Sequence, residues 1–178
     1  MLKYAYAPDT IQYAGYTAFS PITLRNKMLG EHEKDNGQHS QPQETASLHG
    51  AAMMVRRDVL QQVGPMTEVY FLFYEEFDWS ARMHHLGYKL WYEPAAAVYH
   101  KESMTAKRGM PQREFYLSRA RMIYARRNLL GIERFLSCMY ILSIAAPKKA
   151  VTYLLNKKQP LAAAVFRGTF SGLISKKQ

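Results

Sequence analysis

The sequence of 178 residues has little of what marks several large protein classes. Its single cysteine, Cys138, excludes a disulfide framework, and without a Cys-x-x-Cys pair there is no sign of a structural zinc site. It contains no Gly-x-Gly-x-x-Gly, no Walker loop, no His-Glu-x-x-His and no Gly-x-Ser-x-Gly, and its four aspartates are too far apart to form an Asp-x-Asp pair. The printed residues therefore carry none of these nucleotide-binding, zinc-protease or serine-hydrolase signatures.

Long apolar runs are also missing. The first residues show no basic stretch followed by an apolar run, so we expect no signal peptide and a reducing, cytoplasmic location. The apolar run 135–146 is shorter than the roughly 20 residues that a helix needs to cross a bilayer. The sequence therefore predicts no membrane-spanning helix from this run.

What the chain does have is apolar matter for a core and a basic second half. Hydrophobic residues make up 48% and aromatic residues 13% of the sequence, which excludes a wholly disordered chain. Residues 1–100 carry 8 Lys and Arg against 11 Asp and Glu, whereas residues 101–178 carry 16 against 3, so the net charges are −3 and +13. We expect the second half to lie against something anionic.

Short apolar runs alternate with short amphipathic runs over the first hundred residues, which predicts an α/β fold. We expect a small mixed sheet built mainly from residues 48–55, 88–92 and 96–100. A flanking helix is predicted over 75–86, because acidic residues occupy its first turn and Gly87 follows its last one.

Shorter features complete the first half. Residues 1–24 read as short strands and turns, and the polar stretch 25–47 is expected to be a mobile surface loop. Asp58 is placed to cap a short helix that ends at Gly64 and Pro65.

Beyond residue 100 the apolar spacing becomes helical. Helices are predicted over 114–130, 132–146 and 161–174, with Pro147 and its two lysines separating the last two. We therefore divide the chain into an α/β domain over 1–112 and a basic, amphipathic helical tail over 113–178.

The strongest chemical signal is the acidic cluster Glu75-Glu76-x-Asp78 at a strand-to-helix junction. A carboxylate at a helix N-terminus is kept ionised by the dipole and the free N–H groups, and such a group can act as a general base on a hydroxyl. Asp78 and Arg82 have the spacing of an ion pair on one helix face. From the residues alone, ordinary helix stabilisation is the favoured explanation of the cluster.

His100 follows the predicted strand 96–100 and is a candidate metal ligand or acid–base group. A lone histidine at a strand end is also compatible with a structural or simply exposed side chain. The adjacent pair His84-His85 is a poor metal pair, because neighbouring helix positions point in different directions.

Three stretches in order resemble a family-2 glycosyltransferase of the GT-A fold, most of all enzymes that transfer rhamnose and other sugars onto bacterial surface polysaccharides. Residues 50–64 read GAAMMVRRDVLQQVG, 68–88 read EVYFLFYEEFDWSARMHHLGY and 92–100 read YEPAAAVYH. Residues 11–15 and 126–128 fit the same pattern on either side. The resemblance covers about residues 9–130 and implies a partial GT-A fold in the first domain.

The resemblance also implies roles for the acidic cluster and the histidine. Glu76 would be the base that deprotonates the acceptor hydroxyl, with Glu75 beside it and Asp78 orienting the helix. The family more often has Glu-Asp where this sequence has Glu75-Glu76, so the carboxylate arm is one methylene longer here. His100 would help to hold a divalent cation, Mg²⁺ or Mn²⁺, on the diphosphate of the nucleotide-sugar donor.

In this family a nucleotide-binding half with an Asp-x-Asp motif comes before the part that resembles this chain. We therefore expect the acceptor-side half of an inverting enzyme, inactive without that donor half. Its implied partners are a nucleotide-sugar donor, a saccharide or lipid-linked acceptor, and a separate N-terminal half.

The basic tail has three interpretations: a nucleic-acid-binding segment, a solvated basic face, or an attachment to an anionic membrane surface. No recognised nucleic-acid-binding motif supports the first, whereas basic residues flanking the apolar run 135–146 favour the third. This predicts a peripheral protein on the inner face of the cell membrane. The candidate anion-binding residues are Arg119, Arg121, Arg126, Arg127, Lys148 and Lys149.

A second function from another class stays open. The chain could be a non-catalytic, membrane-associated or interaction protein that kept the half-fold after losing the donor site. An upstream reading frame encoding the Asp-x-Asp half would favour the enzyme.

Overall fold

The computed structural model describes residues 1–101, 107 and 109–175, so Lys176, Lys177 and Gln178 of the predicted tail lie outside the described residues. The chain divides into two units. Unit 1 comprises Met1–Ala18, Asn26–Met66 and Glu76–Met104, and unit 2 comprises Phe19–Arg25, Thr67–Glu75 and Thr105–Gln178. The division at residue 112 stays a prediction.

Unit 1 contains a small mixed sheet. Its strands are β1 (Leu2–Tyr4), β2 (Ala7–Tyr13) and, numbered by chain order, β5 (Val98–His100), in the spatial order β2-β1-β5. β1 pairs with β2 antiparallel and with β5 parallel, so that His100 lies opposite Tyr4. The α/β class and the presence of a small mixed sheet are confirmed. Of the three predicted strands only 96–100 contributes to that sheet, and 88–92 forms a strand over Trp91–Tyr92 alone, in a separate ladder.

A second ladder joins β3 (Gln43–Glu44) to β4 (Trp91–Tyr92) in antiparallel pairing. The polar stretch 25–47, expected as a loop, is hydrogen-bonded to β2: the Ile11 N–H donates to the Glu33 carbonyl at 2.8 Å. Asp35 pairs with Lys3 at 2.7 Å. The stretch therefore covers the sheet through defined backbone and ionic contacts.

The strand predicted over 48–55 is wrong. These residues form a turn and irregular backbone, in which the Ala52 N–H donates to the His49 carbonyl at 3.2 Å and the Ala51 N–H to His49 Nδ1 at 3.1 Å. Bonds from a polar side chain to nearby backbone compete with strand pairing. The apolar character of the run serves packing instead, since Leu48, Met53 and Val55 lie against the core of Val59, Val63, Trp79, Met83 and Leu90.

Unit 1 also contains two helices, the second of which has its first residue in unit 2. Helix α1 (Arg57–Val63) ends at Gly64, whose φ of 75° is the left-handed conformation that favours glycine. The N-cap position is occupied by Arg56 rather than by Asp58, which lies in the first turn with its carboxylate bound by Arg56, Nε and Oδ1 being 3.0 Å apart. Helix α2 (Glu75–His85) confirms the predicted helix, and its first residue, Glu75, belongs to unit 2.

Unit 2 is a bundle of helices. In chain order they are α3 (Pro111–Asn128), α4 (Gly131–Tyr140), a π-helical turn (Ile141–Ala145), α5 (Ala146–Leu155) and α6 (Gln159–Ile174). The expected helix end at Pro147 is wrong. The Ala146 N–H bonds to the Ile141 carbonyl in the i to i+5 pattern of the π-helical turn, and Pro147 then falls in the first turn of α5, where its missing N–H is tolerated.

Helices α3 and α6 pack through small residues. A Cβ added at Gly168 would lie 2.2 Å from the Phe115 carbonyl oxygen, and one at Gly172 would lie 2.5 Å from the Arg119 carbonyl oxygen. Contacts this close exclude any side chain at either position. The backbones of the two helices are therefore in direct contact.

Replacement of Gly172 by alanine tests this packing. Gly→Ala in a helix with open space stabilises by roughly 0.5–1 kcal/mol, but here overpacking should lower the free energy of unfolding by about 1–3 kcal/mol. Urea unfolding of the parent and Gly172→Ala measures the difference. Phe170→Ala removes an exposed side chain from the same helix and should change stability much less. A Gly172→Ala protein as stable as the parent would contradict the contact.

Candidate functional site

Glu76 lies in the first turn of α2, and one buried hydroxyl fixes this turn. Ser80 Oγ donates to the Glu76 carbonyl at 2.7 Å and accepts from the Leu48 N–H at 3.0 Å. The Glu76 carboxyl carbon would lie 3.9 Å from a Cβ built on Gly50. The loop that begins at Leu48 therefore runs directly beside the Glu76 carboxylate.

Aromatic rings connect Glu76 to the rest of unit 1. Tyr16 stacks on His49 with centroids 6.2 Å apart and meets Phe77 edge-on at 5.1 Å. Burial first, and then the charge of Glu76, raise the pKa of the Tyr16 hydroxyl well above its usual range. Tyr16 is therefore a neutral phenol in the electrostatic field of Glu76.

His49 is a neutral imidazole with a defined tautomer. Its Nδ1 accepts the Ala51 N–H, so the ring proton of the neutral form is on Nε2. Burial, followed by repulsion from His100, lowers the pKa of His49 to about 4. Its ring meets that of His100 edge-on, with centroids 6.1 Å apart.

His100, at the end of β5, is oriented by Gln12. Its Nδ1 donates to Gln12 Oε1 at 2.9 Å, and Gln12 itself is buried. A hydrogen bond from one ring nitrogen to an oxygen is the arrangement that aims the other nitrogen of a metal-binding histidine. In the neutral form, Nε2 then carries the lone pair.

Tyr16, His49, Glu76 and His100 thus form a connected set, which we call the Glu76 cluster. The sequence predicted Glu76 and His100 as members of one site. The His49 ring contacts those of Tyr16 and His100, and Gly50, next to His49, lies beside the Glu76 carboxylate. Tyr16, His49 and Gln12 were missed as site residues. The available signal was their position: Gln12 lies inside, and the other two next to, stretches on which the family resemblance depends.

Asp78 is a positioning residue. Its side chain is only 1% exposed, with Oδ2 3.3 Å from Arg82 Nε in the predicted i,i+4 pair. Arg82 in turn donates to the Val63 carbonyl at 2.8 Å and to the Pro65 carbonyl at 2.7 Å. Through Arg82, Asp78 therefore connects α2 to the end of α1.

Glu75 follows a strained backbone segment in unit 2. Phe71, Phe73 and Tyr74 have φ angles of 65°, 66° and 71°, a left-handed conformation that costs side-chain-bearing residues free energy. One carboxylate oxygen of Glu75, Oε2, is buried without a hydrogen-bond partner among the described residues. Strain of this kind clusters at functional sites.

The donor set limits what metal this chain could hold. Within the described residues, no three His, Cys, Asp or Glu side chains lie close enough to form a metal site. His100 offers one imidazole nitrogen.

A cleft of about 430 Å³ in unit 1 lies against His49. Tyr13, Trp91 and Tyr92 line it together with Glu93, and the Trp91 side chain is 56% exposed. Aromatic faces with a few polar groups are typical of ligand-binding clefts.

The arginines expected to bind a surface anion are mostly bound within unit 2. Arg119 donates to the Val69 and Tyr70 carbonyls at 2.7 and 3.2 Å, Arg121 to the Thr23 carbonyl, and Arg126 to the Gly172 and Ser175 carbonyls at 2.8 and 2.7 Å. Arg127 also has a partner, Lys149 pairs with Glu114, and Lys148 is exposed. Three of the six residues predicted to bind a surface anion thus donate guanidinium N–H groups to backbone carbonyls within the protein.

Unit 2 also exposes large apolar side chains. Among the described residues, no helix combines the length and apolar character that crossing a membrane requires. The exposed large apolar side chains on α4, the π-helical turn and α5 include Ile132, Phe135, Leu136, Met139, Ile144, Val151, Leu154 and Leu155.

Comparisons with protein-family models, curated proteins and solved structures found no match for this chain. The glycosyltransferase resemblance therefore remains a hypothesis.

The lowered pKa of His49 predicts a loss of stability in mild acid. Its folded pKa of about 4 lies below the unfolded value of 6.5, so the unfolded chain binds more protons between these pH values. Stability should be full above pH 6.5 and fall by up to about 3 kcal/mol as the pH approaches 4.

Urea unfolding at pH 7 and pH 4.5 measures the loss. His49→Asn keeps an acceptor for the Ala51 N–H and removes the titration, so its stability should fall less between the two pH values than that of the parent. Equal losses in both proteins would show that His49 does not titrate as the structure implies.

Proposed function

We propose that unit 1 carries the acceptor-activating base of an inverting glycosyltransferase, and that Glu76 is this base. The observation that supports the proposal is the Glu76 cluster, in which a carboxylate in the first turn of α2 lies beside Gly50, and the neighbouring His49 ring contacts those of Tyr16 and His100. Glu76 and His100 are also the two residues that the family resemblance marks.

The proposed reaction is a single displacement. The Glu76 carboxylate accepts the proton of an acceptor hydroxyl while that oxygen bonds to the anomeric carbon, and the bond from this carbon to the nucleoside diphosphate breaks on the opposite face. Neutral Tyr16 can donate a hydrogen bond in this region, and His49 is uncharged. Glu76 is thus the one anionic member of the cluster.

In this proposal the site that binds the nucleotide-sugar donor is formed by residues other than the 178 of this sequence. A nucleotide-binding half with an Asp-x-Asp motif, on the same or a separate chain, would bind the nucleotide-sugar. A divalent cation on the diphosphate would neutralise charge on the leaving group, and His100 would supply one ligand through Nε2. The acceptor would be a saccharide or lipid-linked hydroxyl, for which the aromatic cleft beside His49 offers ring faces.

Glu76→Gln tests the base. In an assay with a protein that also contains the donor half, the variant should lose about 10²- to 10⁴-fold in kcat, because the amide cannot accept the proton. Donor affinity should change little. Glu44→Gln removes an exposed carboxylate elsewhere in unit 1 and serves as the matched control.

A Glu76→Gln enzyme with near-parental turnover would overturn the assignment. A reconstituted protein without any transferase activity would favour the second candidate, a non-catalytic membrane-associated protein. The apolar surface of unit 2 is the observation that favours this second candidate.

We also propose that unit 2 attaches to an anionic membrane surface on the cytoplasmic side. The exposed apolar side chains of α4 and α5 would enter the headgroup region, and the exposed lysines Lys148, Lys157 and Lys158 would meet anionic lipid. Each basic residue near an anionic leaflet contributes roughly 1 kcal/mol. The arginines bound to carbonyls contribute less than the sequence suggested.

Co-sedimentation with vesicles of increasing anionic lipid content tests the attachment. Binding should rise with anionic lipid and weaken with salt, leaving a salt-resistant part that Phe135→Ser with Leu155→Ser removes. Met54→Ser replaces a side chain of unit 1 that is 96% exposed and should leave binding unchanged. No response to anionic lipid, or an equal effect of the control, would exclude the membrane surface as partner.

A further inference from the structure

Unit 2 contains a cavity of about 210 Å³ that is open to solvent on one side. Its wall includes Arg121 from α3, Lys149 from α5, Thr169 from α6, and both Ile141 and Ala145 of the π-helical turn. The cavity therefore combines an apolar frame with two cationic side chains from different helices.

Arg121 lines this cavity, and only part of its guanidinium group is hydrogen-bonded. One terminal N–H group donates to the Thr23 carbonyl, and the guanidinium lies 6.0 Å from the ring centre of Tyr140. Its Nε is buried and has no hydrogen-bond partner within the described part of the chain. Because Nε is shielded from the open space, an anion in the cavity would contact the terminal N–H groups of the guanidinium.

Lys149 supplies the second cation. It pairs with Glu114, whose side chain is 5% exposed, and its Nζ lies 6.0 Å from the ring centre of Tyr153. An ammonium group has three N–H donors, so one carboxylate does not exhaust them. Because Glu114 balances one of the two charges, the pair of cations leaves a net positive charge at the wall.

The π-helical turn provides a separate indication. Such turns are rare and occur frequently at functional sites. Here the turn lines the cavity with Ala145, and the next residue of the lining is Ala146, so two small side chains leave the space open. Ser118 of α3 adds a hydroxyl group to the same wall.

We propose that this cavity binds a phosphoryl group. The planar guanidinium of Arg121 suits phosphate oxygens, Lys149 acts as a point charge, and the Ser118 hydroxyl can donate a further hydrogen bond. The group can come from free phosphate or from the headgroup of a phosphorylated lipid, since the oxygen chemistry is shared. The proposal is independent of the transferase reaction in unit 1.

Isothermal titration of the full chain with inorganic phosphate, inorganic diphosphate and monobutyl phosphate tests the proposal. At least one should bind saturably at 0.15 M salt, with one site per chain. Lys149→Met should weaken binding about tenfold or more, as expected for a lost charge-assisted hydrogen bond. Arg167→Met removes one positive charge from an exposed position on α6 outside the cavity lining and should bind like the parent.

A second variant keeps every charge. Ala146→Leu should fill the cavity and abolish binding, and circular dichroism with urea unfolding shows whether the variant stays folded. Should Ala146→Leu not fold, Ala145→Val narrows the cavity more gently and should weaken binding. This keeps the test independent of the Lys149–Glu114 pair, whose loss could itself disturb unit 2.

Vesicles separate the two sources. Parent protein bound to phosphatidylcholine vesicles containing phosphatidic acid should be released by inorganic phosphate if the lipid headgroup enters the cavity. Binding of soluble phosphates without such competition assigns the site to the free anion. No saturable binding of any of the three probes, equal weakening by Arg167→Met and Lys149→Met, or unchanged binding by folded Ala146→Leu would overturn the proposal.

Discussion

The geometry of unit 1 depends on one hydroxyl group. Ser80, which is fully buried, donates to the Glu76 carbonyl and accepts from the Leu48 N–H, and thereby joins α2 to the loop that carries His49 and Gly50. A buried hydroxyl satisfied in both directions is costly to lose, because each partner would be left without its bond. The two hydrogen bonds of Ser80 thereby set the position of the Glu76 backbone relative to the loop that carries His49.

In unit 2, several basic side chains that the charge count predicted to face an anionic partner instead form hydrogen bonds within the unit. The guanidinium groups of Arg119, Arg121 and Arg126 reach carbonyls that ordinary helix and loop geometry leaves without partners. Arginine suits this task because its N–H groups form a fixed fork and stay charged when partly buried. A strongly basic sequence can therefore reflect internal bonding, and the exposed lysines are the better indicator of an anionic partner.

Structural features that depend on residues close together in the sequence could be predicted, whereas features that depend on contacts between residues far apart in the sequence could not. The helix over 75–86, its Asp78–Arg82 pair and the helix end at Gly64 follow from spacing within a few residues. The turn at 48–55 depends on His49 bonding the Ala51 backbone, and an apolar run does not reveal it. The role of Glu76 depends on Tyr16 and His49, which are separated from it along the chain, and it stays a prediction.

The close contact of α3 and α6 restricts how unit 2 can move. Because the Phe115 and Arg119 carbonyls lie where Cβ atoms of Gly168 and Gly172 would stand, each glycine forms a notch that receives the opposite backbone. Sliding α6 along its axis would drive larger side chains into these carbonyls, so the shear motion by which packed helices often rearrange is blocked here. The two helices therefore behave as one rigid body. A change in the position of Lys149 must come from movement of α5 and the π-helical turn.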